Sequence, residues 1–154
     1  MTNLPYMRLV IMETLWLHPP APLLLPRKCG SPYQILGFDI PEGVMVIVNA
    51  WAIGRDPTYW DKPNEFMPER FEHNGRDFKG LDFEFIPKTK DMPGHHVWMA
   101  HVELVLAALL YHFDWDLPEG MVAEDLDMTE DFGVTTQRRS DLLVRPVQRV
   151  PQYV

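Results

Sequence analysis

The chain has 154 residues, of which 46% are hydrophobic and 23% charged, the balance of an ordinary globular domain. Its net charge of -8 disfavours general binding to nucleic acid or to an anionic membrane surface, because both need a basic patch. The single cysteine, Cys29, excludes an internal disulfide framework and fits a reducing compartment. These values predict a globular domain without a nucleic-acid partner.

The first predicted element is a helix from Tyr6 to Leu17, which Pro19 and Pro20 must end. Its apolar residues fall at helical spacing: Leu9, Val10, Met12, Leu15, Trp16 and Leu17. Arg8 and Glu13 interrupt this apolar stretch, so neither a signal peptide nor a membrane span is expected at the N-terminus.

The next predicted element is a small β-sheet. The stretch from Ile35 to Ile40, then Pro41-Glu42-Gly43, then the stretch from Val44 to Val48 is typical of β-strands joined by a tight turn. Proline and Asn-Gly breaks between Trp51 and Phe78 predict a short helix followed by an irregular meander.

The strongest helical pattern runs from Val102 to Phe113 and predicts a helix in the core. After Asp114, short apolar runs alternate with turns, and the stretch from Leu142 to Pro146 is predicted to be the final strand. The fold class is therefore α+β, with a helix, a small sheet, a meander, a long helix and a terminal β-hairpin.

Four motifs occur in order along the chain. They are Glu13-Thr-Leu-Trp16, His18-Pro-Pro-Ala-Pro-Leu-Leu-Leu-Pro-Arg27, Asn49-Ala-Trp-Ala-Ile-Gly-Arg-Asp-Pro57 and Phe66-Met-Pro-Glu-Arg-Phe71. This series resembles the C-terminal part of a plant microsomal cytochrome P-450, a haem-thiolate monooxygenase. The resemblance implies that residues 1–154 are a fragment of one mainly helical domain, without its N-terminal anchor and its distal oxygen-activating helix.

The resemblance also implies a cofactor and partners. The intact family binds haem b, receives electrons from a reductase and inserts oxygen from O2 into a small hydrophobic metabolite, and its parent members belong to the endoplasmic reticulum membrane. In such enzymes a cysteine thiolate ligates the iron and favours cleavage of the O–O bond. No membrane segment is expected in the present chain.

The stretch from Lys88 to Trp98 departs from the family pattern. After Phe-Ile-Pro the family reads roughly Phe-Gly-x-Gly-Arg-Arg-x-Cys-Pro-Gly, whereas here Met92 stands in the cysteine position before Pro93. A family sequence for this loop can be encoded so that reading it one nucleotide out of register gives the whole stretch, and the family sequence resumes at Met99. We therefore interpret the stretch as a frame-shifted copy of the haem-ligand loop, from a gene lesion or a splice error.

The resemblance implies a buried ionic set on the proximal side of the haem, in which Glu13 pairs with Arg70. A guanidinium binds a carboxylate bidentately, which would fix the meander against the helix. The family's first arginine of this set is replaced by Trp16, and an indole is expected to disturb the packing there and to leave the other members uncompensated.

Three further sites follow from the resemblance. Arg27 matches an arginine that contacts a haem propionate, although an arginine after a proline is otherwise a surface charge. The substrate-lining segment matches Ala21, Pro22, Leu23 and Leu24. Thr135 falls in the last substrate-facing turn, and ordinary strand chemistry explains that residue equally well.

Three residues of the insert could in principle replace the lost iron ligand: Met92, His95 and His96. The sequence shows no partners around them, and the frame shift explains them without function. Cys29 lies far from the ligand position. Two hypotheses remain open: the chain represents a monooxygenase whose ligand loop was lost to an error, or it is a degenerate product without catalysis and without haem binding.

Overall fold

The structure, a computed structural model, describes residues 4–72, 95–133 and 135–149. Its helices are α1 (Pro5–Leu17), α2 (Ala50–Ile53) and α3 (His95–His112), with single 3-10 turns at Pro68–Phe71 and Ala123–Asp125. Its strands are β1 (Arg27–Lys28), β2 (Tyr33–Ile35), β3 (Phe38–Ile40), β4 (Met45–Val46), β5 (Phe113–Asp116), β6 (Glu130–Phe132), β7 (Thr136–Arg138) and β8 (Arg145–Gln148). The predicted α+β fold is confirmed.

Helix α1 forms where the apolar spacing predicts it. Pro5 is tolerated because it stands in the first turn, where its missing N–H has no helical acceptor. His18 closes the helix by donating its backbone N–H to the carbonyl of Thr14 at 2.8 Å, and Pro19 prevents continuation. The buried face of α1 carries Met12, Trp16 and Leu17 into the main apolar cluster, which Trp60 and Phe71 complete.

The stretch that was predicted to be the first strand of the sheet contains a turn. The chain reverses within the stretch from Ile35 to Ile40, at a two-residue turn of Leu36 (φ 50°) and Gly37 (φ 84°), so β2 and β3 make an antiparallel hairpin. Two consecutive positive φ angles match the right-handed twist of a hairpin, and glycine adopts such an angle without steric cost. The prediction missed this turn because leucine does not signal a positive φ.

The predicted pairing of the two strand stretches is also wrong. Strand β4 pairs with β1, with Arg27 opposite Val46 and Lys28 opposite Met45. Backbone bonds from Cys29 N–H to Val44 O and from Gly43 N–H to Cys29 O extend this pairing. The turn at Gly43 (φ 85°) therefore sends the chain back to β1 instead of forming a hairpin with β3.

The meander packs its aromatic residues against α1. Trp60 lies 4.7 Å from Trp16 between ring centroids, and Phe71 lies 6.2 Å from Trp60 with an edge-to-face tilt. Such offset and tilted contacts are the favoured aromatic geometries. The predicted short helix and irregular meander are present as far as Glu72, and the rest of the predicted meander lies outside the described residues.

Helix α3 begins seven residues earlier than predicted, at His95 within the insert, and ends at His112. The prediction that it lies in the core is wrong, because Leu104 is 68% exposed and Val105 is 56% exposed, whereas Met99 is buried. The described neighbours of α3 are α1 and β5, and they cover only part of its surface. Apolar periodicity predicted the helix correctly but could not predict what covers it.

The tail forms two antiparallel pairs. Strands β6 and β7 make the predicted terminal β-hairpin, and β5 pairs with β8. The final strand starts at Arg145, three residues later than predicted, and pairs with β5 in a register that places Arg145 opposite Asp116. Among the described residues, no helix is long and apolar enough to cross a lipid bilayer.

Candidate functional site

Glu13 and Arg70 come together where α1 meets the 3-10 turn. The Nε–H of Arg70 is shared by the two carboxylate oxygens of Glu13, at 2.9 Å from Oε2 and 3.2 Å from Oε1. The side chains are 0% exposed for Glu13 and 6% exposed for Arg70. These residues are 57 positions apart in sequence, so the contact joins the first helix directly to the meander.

The guanidinium of Arg70 does not form the expected fork on the carboxylate. Its Nη1 donates to the carbonyl of Asp61 at 2.7 Å, and its Nη2 donates to the carbonyls of Glu65 at 2.8 Å and Lys62 at 3.3 Å. One arginine therefore binds a carboxylate at one edge and three backbone carbonyls at the others. This arrangement organises residues 61–65 around Arg70 and gives three of their backbone carbonyls a charged donor.

Glu13 has a second donor. Its Oε1 accepts the backbone N–H of Met67 at 2.7 Å. Burial raises the pKa of Glu13 above its ordinary value, while the Met67 N–H and the positive charge of Arg70 oppose that rise. The carboxylate thus depends on these two donors to remain ionised in a dry environment.

Trp16 packs into this site, although its buried Nε1–H has no acceptor among the described residues. Its ring lies in the apolar cluster, and the guanidinium carbon of Arg70 is 4.4 Å from the ring centroid. A guanidinium over an indole face is stabilised by the ring quadrupole. The remaining members of the ionic set are also not left uncompensated, because Arg70 and Glu13 neutralise each other.

The segment predicted to line the substrate lies beside the hairpin that carries Thr135. The backbone N–H of Thr136 donates to Pro20 O at 3.0 Å, and that of Trp51 donates to Pro22 O at 3.1 Å. Within this segment Pro22 is buried, Ala21 and Leu24 are half-buried, and Leu23 is exposed. The structure therefore brings the two predicted substrate-facing segments, residues 21–24 and the Thr135 turn, to one region.

Arg27 and Cys29 lie elsewhere. Arg27 is exposed on β1, and within the described part of the chain no hydrogen bond or ion pair joins it to Glu13 or Arg70. Cys29 donates its Sγ–H to Ser31 O at 3.0 Å, within its own turn. Met92 lies outside the described residues, as does most of the insert, and the side chains of His95 and His96 lie outside them too.

Sequence reasoning missed a contact between His18 and Glu130. Nδ1 of His18 lies 2.5 Å from Oε1 of Glu130, which ties the end of α1 to the start of β6. The two residues are 112 positions apart, and no local spacing or motif connects them. Only the folded chain could reveal this pair.

Comparison with known proteins identifies the family. The sequence pattern described as cytochrome P450 matches residues 1–143. The chain belongs to the cytochrome P450 family.

Curated P450 relatives are plant proteins of about three times the length. The chain is 52% identical over 151 residues to ent-cassadiene hydroxylase from Oryza sativa subsp. japonica. This alignment covers 96% of the present chain and 29% of that protein. It is 53% identical over 145 residues to premnaspirodiene oxygenase from Hyoscyamus muticus, covering 92% of this chain and 29% of that protein. This P450 chain thus spans less than a third of the length of these relatives.

A solved P450 structure supports the fold. A zebra fish cytochrome P450 with abiraterone superimposes with a TM-score of 0.77 at 28% identity, over 95% of this chain and 33% of that one. The helix, the small antiparallel sheets and the long helix described above are therefore parts of the P450 fold.

The P450 family implies a haem held by a cysteine thiolate. The described residues do not fit such a centre, because the one cysteine bonds to its own turn and sits next to β1. Arg27, whose contact to a haem propionate is implied only by the resemblance, is an exposed cation on β1.

Proposed function

We propose that this chain derives from a haem-dependent monooxygenase of plant metabolism, and that the polypeptide as its sequence stands does not carry out thiolate-dependent oxygenation. The parental activity is supported by family membership and by relatives named as a hydroxylase and an oxygenase. Its substrate class would be a small hydrophobic metabolite such as a terpenoid, and its electron donor a reductase. The parent would reside in the endoplasmic reticulum membrane.

The loss of activity rests on one observation. The only cysteine of the chain is Cys29, whereas the position before Pro93-Gly94 that matches the family's iron ligand holds Met92. Methionine cannot supply the anionic sulfur that distinguishes a haem-thiolate centre. Without that ligand, the intact Glu13–Arg70 contact preserves part of the family's architecture but not its chemistry.

The alternative is that the insert is an error of gene interpretation and that the true product retains the ligand. The single consistent reading-frame shift across Lys88–Trp98 is compatible with both accounts, because a lesion in the gene itself would produce the same stretch. Sequencing the transcript across residues 87–99 separates the two. A transcript that encodes the insert as it stands supports the inactive chain, and an in-frame cysteine codon supports the monooxygenase. If the transcript encodes the insert with no neighbouring insertion or deletion relative to related genes, the frame-shift interpretation itself is wrong.

The activity proposal is tested with the purified full chain. Haem is added and reduced, and the carbon monoxide difference spectrum is recorded. We expect no thiolate-type band. A thiolate-type band contradicts the proposal, and the Cys29→Ser variant then reports whether Cys29 has become the ligand.

A further inference from the structure

A cavity of about 410 Å³ lies between the end of α1 and strand β6, apart from the Glu13–Arg70 site. It is a shallow depression that is broadly open to solvent. The described residues that line it are Leu17, His18, Arg55, Asn64, Met128, Thr129, Glu130 and Arg139. Two arginines and one carboxylate therefore face the same space in a chain whose net charge is -8.

Arg55 is held rigidly but is incompletely bonded. Its Nη2 donates to Leu17 O at 2.5 Å, and its guanidinium carbon lies 4.1 Å from the centroid of the Trp51 ring. Its Nη1 is buried, and no described residue accepts a hydrogen bond from it. Burial lowers the pKa of Arg55, against the opposing charge of Glu130. A buried charged donor without an acceptor is costly, so the charge of Arg55 is incompletely compensated by the described residues.

Arg139 is the second cation of the cavity. Its backbone N–H donates to Thr129 O at 2.9 Å, which fixes its position after β7. No described residue forms a hydrogen bond or ion pair with its side chain, which is unlike most arginines of the chain. The arginines whose side chains have acceptors within the described ranges are Arg8, Arg55, Arg70, Arg138, Arg145 and Arg149.

Glu130 compensates Arg55 only in part, because its charge opposes the lowering of the Arg55 pKa without a direct ion pair. Its carboxylate is bound by His18, and within the described part of the chain it forms no ion pair with Arg55 or Arg139. The cavity also presents the amide of Asn64 and the hydroxyl of Thr129, both able to donate to an oxyanion. Leu17 and Met128 add an apolar wall.

We propose that this cavity binds a small organic acid. Its carboxylate or phosphate group would lie between Arg55 and Arg139, since guanidinium groups recognise such oxyanions through charge-assisted hydrogen bonds. Its apolar part would pack on Leu17 and Met128. None of the described residues that line the cavity belongs to the insert.

The experiment follows arginine side chains in the full chain. The chain is labelled with 15N-arginine, and the Nε–H resonances are recorded during titration with sodium hexanoate at constant ionic strength set by sodium chloride. We expect saturable shifts at Arg55 and Arg139 and none at Arg145. Hexanamide, which has the same apolar part without the charge, is expected to give no shift at either arginine. Inorganic phosphate serves as the second arm and reports whether the phosphate chemistry is also accepted.

Two variants test the assignment. Arg139→Gln removes one cation from an exposed position and is expected to weaken hexanoate binding at least about tenfold. Asn64→Asp adds a negative charge to the cavity and is expected to abolish binding, and Arg145→Gln is the matched control that leaves it unchanged. The proposal is overturned if wild type gives no saturable shift with hexanoate or phosphate, or if Arg139→Gln and Arg145→Gln weaken binding equally.

Discussion

At the scale of single residues, Glu13 and Arg70 form the most deeply buried ion pair among the described residues. The Glu13 side chain is completely buried and has two donors, Arg70 and the Met67 N–H. We expect Arg70→Met to lower the free energy of unfolding by about 3–5 kcal/mol, because it leaves a buried carboxylate without its cation. Urea denaturation followed by tryptophan fluorescence measures the change.

The control for this change is the double variant with Glu13→Gln and Arg70→Met. It removes both charges, so its loss should be smaller than that of Arg70→Met alone despite the additional substitution. If the double variant is less stable than Arg70→Met alone, the buried charge is not the cause of the loss.

The buried environment of Trp16 predicts that this residue contributes to stability. Its ring packs on Trp60 and lies under the guanidinium of Arg70. We expect Trp16→Leu to lower the free energy of unfolding by about 2–4 kcal/mol, through lost aromatic packing and a lost cation–π contact. Thermal and urea unfolding both report it. The half-exposed Trp115 is the control, and Trp115→Leu should cost less.

The opposite outcome for Trp16 has a clear meaning. Equal or greater stability of Trp16→Leu would show that the indole is a misfit, which is what its replacement of a family arginine suggested from the sequence. The structure favours a loss of stability in Trp16→Leu, because Trp16 is only 3% exposed and lies within the main apolar cluster.

At the scale of elements, the sequence was informative where a signal is local. The apolar spacing in residues 6–17 and 102–113 predicted α1 and most of α3, since a helix repeats its buried face every few residues. The strands are only two to four residues long, too short for an alternation pattern to define their partners. Leu36 shows the difficulty, because its positive φ turns the chain without a turn residue to announce it.

In the candidate site, too, one contact was predicted from the sequence and another was missed. The contact between Glu13 and Arg70 was predicted from motifs that resemble a family, because a spacing of 57 residues carries no physical signal. His18 and Glu130 matched no such functional expectation, and their contact was missed. Long-range contacts depend on the whole fold, whereas spacing reports only local structure.

The turn before β6 provides a prediction about pH. The side chain of Asp127 accepts bonds from the Thr129 N–H at 2.9 Å and from the Ser140 hydroxyl at 2.8 Å. The hydrogen bonds from Thr129, followed by that from Ser140, lower the pKa of Asp127 from 3.8 to about 2. The folded state thus prefers the ionised carboxylate more strongly than the unfolded state does.

The sign of the effect follows from this lowered pKa. The stabilisation by Asp127 is fully present above its ordinary pKa of 3.8 and is lost as the pH falls through about 2. We expect the Thr129 amide resonance to move in this interval as the turn loosens. In Asp127→Asn the same resonance should stay constant across the interval, and a titration that persists in this variant would assign the effect to another group.

At the scale of the whole molecule, helix α3 exposes an apolar face. Val97, Leu104 and Tyr111 recur every seven residues, so they share one face of the helix, and all three are exposed. Exposed contiguous apolar surface of this kind promotes association. This face of α3 is therefore the expected contact surface between copies of the chain.

We expect the isolated chain to self-associate in a concentration-dependent manner, and Leu104→Lys to reduce this association in sedimentation velocity. Because Leu104 is exposed, the substitution should change the free energy of unfolding by less than about 0.5 kcal/mol, so reduced association would not reflect a change in folding. Leu36→Lys is the matched control, since Leu36 is also an exposed leucine but belongs to the β2–β3 hairpin. If the two substitutions reduce association equally, the associating surface does not lie on α3. If the wild-type chain is monomeric at all concentrations, the prediction of self-association is wrong.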